Sequence, residues 1–537
     1  MGHRERGWLY AALVAGAISA MAFSTMRPGV LGLFHDDGIY AVTARSLAAG
    51  TGYRIVSLPG APAQTKYPFL YPYLLSWVWR ASPAFPANVL LLKSVNALIA
   101  LAVMLLGYAL FCRHTGRFGI SALAYVFLVG TNMLLVSAAD FTLSDNLFQI
   151  FVIACLLLHE QGARGRSSWW IWFGAVMASL GFLTRVPGAS LVIAGLVWTV
   201  VEKSRREAII YAAIAAGLTI PWFVWRADAV AVTNPLLPYY TEYETSAIAL
   251  APSHPYQAWQ ILSGNARYLL QSLDATFLLQ PSALLRWSVV VLVLLGSWVL
   301  LRRRLTFLVV FVAVYTGAVL NHPFVPGRYV VPLVPIVLLA LFAGAFEAHA
   351  RLANWAGSPR NDKVIAGLVG VPIALLMALN LVWFRSYNRS SSDDHVRGFG
   401  RHFAYGWSGF TETFEWVRNH TAENELLATP YDPMYYLYTG RKGVRPWFHN
   451  PESYFYPIES AVPNLGDPAR IRDALNDLGV RYLIIDPLEG YAESVAAPQL
   501  FERLLSTYSA TPRLVFTSRD SAHKIYDLRP APGLAVQ

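Results

Sequence analysis

The sequence predicts a polytopic α-helical membrane protein with a C-terminal α/β domain, on three observations. Only 14% of the 537 residues are charged, 55% are hydrophobic and the mean hydropathy is +0.42. A soluble chain of this length would carry roughly a quarter charged residues. Uncharged runs of about twenty residues recur, the length a helix needs to cross a bilayer. They are too long and too continuous for the short alternating strands of a membrane barrel. After residue 385 the composition turns polar and takes on the periodicities of a water-soluble domain.

Taken in order, the apolar runs number about eleven. They fall at 8–26, 88–111, 118–136, 141–158, 169–184, 187–201, 207–226, 283–301, 305–321, 328–346 and 364–385. The fifth and sixth are separated by a very short turn, "FLTRVPGASL". The first run has signal-peptide character, but no small-x-small cleavage site follows its long apolar stretch, so a retained helix is expected. The loops "HRER", "CRHTGR", "ARGR", "EKSRRE", "RRR" and "RLANWAGSPRNDK" hold about fifteen Lys and Arg, and the short loops opposite hold only Arg185 and Arg328. By the positive-inside rule the first set is cytoplasmic. The N-terminus is then inside, and the long segments 27–87 and 227–282 and the C-terminal domain lie outside. The net charge of +10 is accounted for by these loops, so no nucleic-acid partner is implied. The expected division is a membrane domain over 1–385, with 27–87 and 227–282 covering its site, and an extracytoplasmic α/β domain over 386–537. Cys112 and Cys155 fall near cytoplasmic span ends, which argues against a disulfide.

The exceptions to the charge rule point to a site. Arg185, Arg328 and Lys93 are cations on the outer side, where topology does not ask for them. An intramembrane charge costs on the order of 3 kcal/mol and usually faces a cavity or a partner. On the same side lie carboxylates. In "FHDDGIYAVTARSLAAGTGY" the stretch 38–49 has the spacing of a short amphipathic helix, with Asp36 and Asp37 at its N-terminal end. One Asp there would serve as an N-cap; a second has no such need. Lys66 stands beside aromatic residues and prolines in "QTKYPFLYPYLLSWVW", a composition suited to the membrane interface. Asp145 in "DFTLSDNLFQIF" is expected to point into the bundle and Asp140 to be exposed in a tight loop. "HPFVPGRYVVPLVP" places Arg328 and Tyr329 between prolines at the outer surface.

These groups suit transfer of a sugar from a lipid-phosphate carrier. No G-x-G-x-x-G follows a strand and no P-loop is present, so a soluble nucleotide donor is not indicated. A polyprenyl-phosphate donor arrives in the membrane itself. Breaking its sugar–phosphate bond in one displacement needs a carboxylate base for the acceptor hydroxyl and cations or hydrogen-bond donors for the departing phosphate. The phosphate is already a good leaving group, so a second carboxylic acid is not required, unlike glycoside hydrolysis. The candidates are Asp36, Asp37 and Asp145 for catalysis, with Lys66, Arg328, Tyr329, Arg185 and Arg267 for the donor phosphate. A divalent metal, if used, would be held by Asp36 and Asp145. The competing reading is a transporter or lipid flippase with an outward-facing charged cavity. Transporters place ionisable groups near mid-membrane between repeated halves, and this sequence shows neither.

The order of "HDDGIYAVTARSLAAGTGY", "KYPFLYPYLL", "FTLSDNLFQIF", "LGFLTRVPGASLV" and "GRYVVPLVP" resembles the GT-C superfamily of lipid-linked-sugar transferases. The likeness covers roughly residues 8–345 and is nearest to the aminoarabinose transferases and protein O-mannosyltransferases. It implies an inverting transfer from a polyprenyl-phosphate sugar to a hydroxyl of a lipid, glycan or protein. Asp36, with Asp37 next, is then the base or metal ligand of the first outer loop; Asp145 is the acid of the fourth span, Lys66 the lysine before the proline-aromatic run, and Tyr329 the tyrosine of the late Arg-Tyr motif. Thr65 stands where the aminoarabinose branch has an acid, "KYPFLYP" lacks that branch's double proline, and the large inserted domain of the mannosyltransferases is absent.

The C-terminal domain reads as helix ("TETFEWVRNHT"), strand ("ELLATP"), short helix ("DPMYYLYTG"), amphipathic helix ("DPARIRDALNDLGV") and strand ("RYLIIDP"), with later strands in "RLVFTS" and "HKIYDL". The acids of "DPLEGY" are expected to be turn formers.

Overall fold

The computed structural model describes residues 2–163, 167–229, 232–242, 246–278, 282–303, 306–322, 327–356, 359–389, 395–398, 401–448, 464–488 and 492–529. Among the described residues, seven helices are long and apolar enough to cross a membrane: Arg4–Ser24, Val89–Thr115, Asp145–Ala163, Arg205–Ala227, Ala283–Arg302, Gly327–Trp355 and Lys363–Asn388. A bent pair, Ile120–Gly130 with Met133–Asp140, and three shorter apolar helices, Trp169–Thr184, Val186–Glu202 and Thr306–Leu320, complete the set. Each of the eleven expected runs coincides with one of these. The third is not straight. Its halves meet at 48°, and the break has a local cause: the Asn132 side chain accepts from the Leu134 amide at 3.1 Å and so starts a new helix.

The helices are α1 (His3–Ser24), α2 (Asp36–Ala48), α3 (Leu70–Ala81), α4 (Val89–Thr115), α5 (Ile120–Gly130), α6 (Met133–Asp140), α7 (Asp145–Ala163), α8 (Trp169–Thr184), α9 (Ala189–Glu202) and α10 (Arg205–Ala227). After the short helices α11 (Pro238–Thr241) and α12 (Ala247–Leu250) come α13 (Pro255–Thr276), α14 (Ala283–Arg302), α15 (Thr306–Leu320), α16 (Val334–Ala356) and α17 (Pro359–Arg389). A 3-10 segment, Gly327–Leu333, leads into α16.

Where they are described, the basic loops gather at one end of the bundle. There Lys203 Nζ donates to the Gly162 carbonyl at 2.7 Å, and Arg303 donates to the His114 carbonyl. The segments carrying α2, α3 and α11–α13 lie at the other end. Helices α14 and α16 pack most closely. At their crossing a Cβ on Gly296 would run into the Ala340 carbonyl, and one on Gly344 into that of Leu292. Small residues let two backbones approach in a membrane, where packing rather than water exclusion drives association. Gly344→Val should therefore lower the melting temperature in detergent by more than ordinary overpacking, which costs about 1–3 kcal/mol.

Beyond α17 come a hairpin, β1 (His395–Gly398) with β2 (Arg401–Gly406), then α18 (Trp407–His420), β3 (Leu426–Ala428), α19 (Asp432–Thr439) and β4 (Gly443–Val444). Helix Pro468–Leu478 has Asp467 as N-cap and left-handed Gly479 as its stop. Strands β5 (Val480–Ile485), β6 (Arg513–Thr517) and β7 (Lys524–Asp527) complete a sheet in the order β4-β3-β5-β7-β6, parallel across β4, β3 and β5 and antiparallel across β5, β7 and β6. Asp486, in the expected turn "DPLEGY", is instead a buried cross-link. His523 Nδ1 lies 2.7 Å away and the Tyr435 hydroxyl donates to it at 3.0 Å.

Candidate active site

The two adjacent carboxylates do different jobs. Asp37 is buried and accepts from the Gly32 amide at 2.7 Å and the Gly38 amide at 2.9 Å. It closes the loop in front of α2 on itself. Gly32 must be glycine: its φ is +94°, and a Cβ would lie 2.8 Å from the Cβ of Met434. Asp36 turns the other way. Its Oδ1 accepts from the Tyr67 hydroxyl at 2.8 Å and its Oδ2 pairs with Arg328 Nη2 at 2.5 Å.

Their titration differs accordingly. Burial would raise the Asp36 carboxyl, but the Arg328 charge, the Tyr67 hydrogen bond and the more distant Arg185 outweigh it, so its pKa sits below the ordinary 3.8. Burial wins at Asp37 despite its two backbone hydrogen bonds, and pushes the carboxyl up to about 7. Burial likewise lifts Asp432 to about 7. An acid raised in the fold keeps its proton there after the unfolded chain has lost it. The stabilisation is whole below the ordinary 3.8 and is lost as pH rises towards about 7. Chemical denaturation in detergent should accordingly show stability falling across that window through these two groups, with Asp37→Asn flattening the slope.

Arg328 comes from the 3-10 segment before α16, and its guanidinium also lies 5.2 Å from the centre of the Phe34 ring. Tyr329, next to it, faces Arg185, whose guanidinium is 5.2 Å from its ring centre. Arg185 stands in extended conformation at the break between α8 and α9 and forms an ion pair with Asp145, in the first turn of α7. The Tyr40 hydroxyl of α2 meets Ser144 Oγ at 3.0 Å, and Gln149 Nε2 donates to the Val331 carbonyl at 2.7 Å. These contacts draw α2, α7, the α8–α9 break and the 3-10 segment into one cluster. Asp36, Asp145, Arg328, Arg185 and Tyr329 all belong to it.

Lys66 lies close by. Its Nζ donates to the Tyr239 carbonyl at 2.9 Å and lies 4.5 Å from that ring's centre. Tyr239 OH in turn meets His35 Nδ1 at 3.4 Å. Arg267 is not brought in: it is on an exposed face of α13. Lys93 is not part of the cluster either, because Asp140 takes it. Asp140, expected to be exposed, is partly buried, pairs with Lys93 Nζ at 2.8 Å and accepts from Tyr387 OH at 2.9 Å. The three residues join α4, α6 and α17.

The carboxylates do not fit a divalent cation in this arrangement. Asp36 and Asp145 each already hold a guanidinium, and among the described residues no three His, Cys, Asp or Glu are grouped to hold a metal ion. Sequence reasoning missed Tyr67, Tyr40, Ser144, Tyr239 and Tyr240. Tyr67 had a signal, its place directly after Lys66; the others are tyrosine or serine hydroxyls in segments already crowded with aromatic and small polar residues.

No family model matches the chain, and no curated protein matches it. Solved structures do. ArnT from Cupriavidus metallidurans bound to undecaprenyl phosphate superposes with a TM-score of 0.54 at 14% identity, over 97% of this chain and 98% of that one. The Archaeoglobus fulgidus oligosaccharyltransferase tethered with an acceptor peptide gives 0.54 at 10% identity, over 96% of this chain and 74% of that one. These are structures of GT-C glycosyltransferases. The chain has the GT-C membrane fold, as its motifs suggested.

Proposed function

We propose that the protein is an inverting glycosyltransferase that moves a sugar from a polyprenyl-phosphate donor to a hydroxyl of a lipid, glycan or protein on the outer face of the membrane. The observation that carries this reading is the cluster itself: an ionised carboxylate, Asp36, beside two guanidiniums and a tyrosine at the end of the bundle away from the basic loops. ArnT, similar over nearly the whole chain, holds undecaprenyl phosphate, which supports a polyprenyl-phosphate ligand here. The basic loops set the N-terminus in the cytoplasm and the C-terminal part outside.

In this mechanism the acceptor oxygen attacks the anomeric carbon as the sugar–phosphate bond breaks. Asp36 takes the hydroxyl proton, and the polyprenyl phosphate departs with the bonding pair. Arg328 and Tyr329 stabilise the charge gathering on that phosphate, while Lys66 from the first long segment binds it throughout. Arg185 and Asp145 hold the wall of the site in place. No step needs a metal.

The test is to add synthetic polyprenyl-phosphate sugars and a membrane extract as acceptor source to the purified full chain in detergent. Release of polyprenyl phosphate without any sealed compartment supports transfer. Substrate movement that requires sealed vesicles, with no release in detergent, overturns it in favour of transport. Lys66→Ala should raise the donor KM about 10- to 100-fold with kcat little changed, the loss of one charged hydrogen bond to the phosphate. An unchanged KM would remove Lys66 from the donor site.

A further inference from the structure

From the clasp that α19 places on the loop preceding α2, we infer that Asp432, in the C-terminal part of the chain, is a positioning residue for Asp36. The inference rests on the transferase reading above. Successive residues of α19 hold the stretch 29–38. Asp432 Oδ1 lies 3.3 Å from His35 Nε2. Pro433 packs against Gly38, where a Cβ would come within 2.9 Å of it, and Met434 fills the space beside Gly32. The Tyr438 hydroxyl donates to the Gly29 carbonyl at 2.5 Å and accepts from the Leu31 amide at 3.1 Å.

The point of attachment matters because of the backbone there. His35 has φ +66° and ψ −55°, a conformation that a side chain with a Cβ adopts only under external constraint. It directly precedes Asp36, so its backbone sets the direction in which α2 starts and in which the Asp36 carboxylate points. The constraint is supplied from both ring nitrogens: Asp432 on Nε2, and Tyr239, which also holds Lys66, on Nδ1. Asp432 is in turn held by the Tyr240 hydroxyl at 2.7 Å, and that oxygen accepts from the Arg445 amide at 3.1 Å. The other Asp432 oxygen is buried with no hydrogen-bond partner among the described residues. A carboxylate in that situation is costly for stability alone. Its use is to fix His35.

The experiment measures donor-dependent turnover, melting temperature and hydrogen–deuterium exchange for Asp432→Ala, His35→Gly and the double variant, with Asp432→Asn as the conservative replacement. Glycine at 35 accepts the backbone conformation and deletes the tether. Asp432→Ala should lower kcat about 10- to 100-fold, the usual penalty for a misplaced group, with donor KM within about threefold of wild type. Asp432→Asn, which keeps an acceptor oxygen, should recover most of the loss. The double variant should be no worse than the poorer single one, because both remove one contact. The amides of residues 36–40 should exchange faster in Asp432→Ala. Wild-type kcat, unchanged exchange, or losses that add in the double variant would each overturn the inference. If the wild type itself transfers no sugar, the transferase reading fails and this one with it, whereas faster exchange alone would not rescue either.

Discussion

Asp36→Asn should reduce sugar transfer by about 10²- to 10⁴-fold, the range for loss of a general base, while the protein still folds and still binds the donor. The amide keeps an oxygen that can accept from Tyr67, whose hydroxyl stands 2.8 Å away, so the local packing survives. What it cannot do is take a proton. Its nitrogen also meets Arg328 donor to donor, so a small loss of stability is expected alongside the kinetic one. The diagnostic pattern is kcat falling with donor KM nearly unchanged. Turnover close to wild type would remove Asp36 as the base.

Arg328→Gln is the second large effect, and its signature lies in pH. The arginine is the strongest of the influences that hold the Asp36 carboxyl below its ordinary value against burial. Without it burial dominates, the carboxyl titrates upward, and less of the base is ionised at neutral pH. Removing one partner of a desolvated pair costs about 3–5 kcal/mol, and the departing phosphate loses a cation at the same time. We expect kcat/KM at neutral pH to fall by about 10²- to 10³-fold and to recover partly as pH is raised, since the lost fraction is protonated Asp36. Arg328→Lys should keep the acid limb near its original position, because the charge remains, yet transfer more slowly for want of the planar fork. A uniform fall without any shift of the acid limb would show that Arg328 serves the phosphate alone.

The membrane helices were legible because a bilayer demands about twenty apolar residues per crossing, which composition alone reports. The bend after Thr131 was not, since it depends on the Asn132 side chain turning back to cap a new helix. In the site, the suspicion attached to Arg185, Arg328 and Asp145 followed from charges where topology does not need them, and the structure joins all three. The same logic drew in Lys93, whose partner Asp140 lies 47 positions away, a pairing no local pattern announces. Arg267 was chosen for its segment, but the face of α13 it occupies is exposed. The two first-loop carboxylates could not be told apart by sequence. Their difference depends on a fold-back to the Gly32 amide on one side and a tyrosine 31 positions away on the other.

The clasp formed by α19 has a consequence for biosynthesis. Its contacts join residues 395 to 409 positions apart. Every group of the Asp36–Arg328 and Arg185–Asp145 pairs has left the ribosome well before residue 432 is made. During that interval the loop ahead of α2 has the Tyr239 contact to His35 but not yet the one from Asp432. A nascent chain halted short of α19 would thus hold both ion pairs while the backbone at His35 lacks one of its two side-chain restraints.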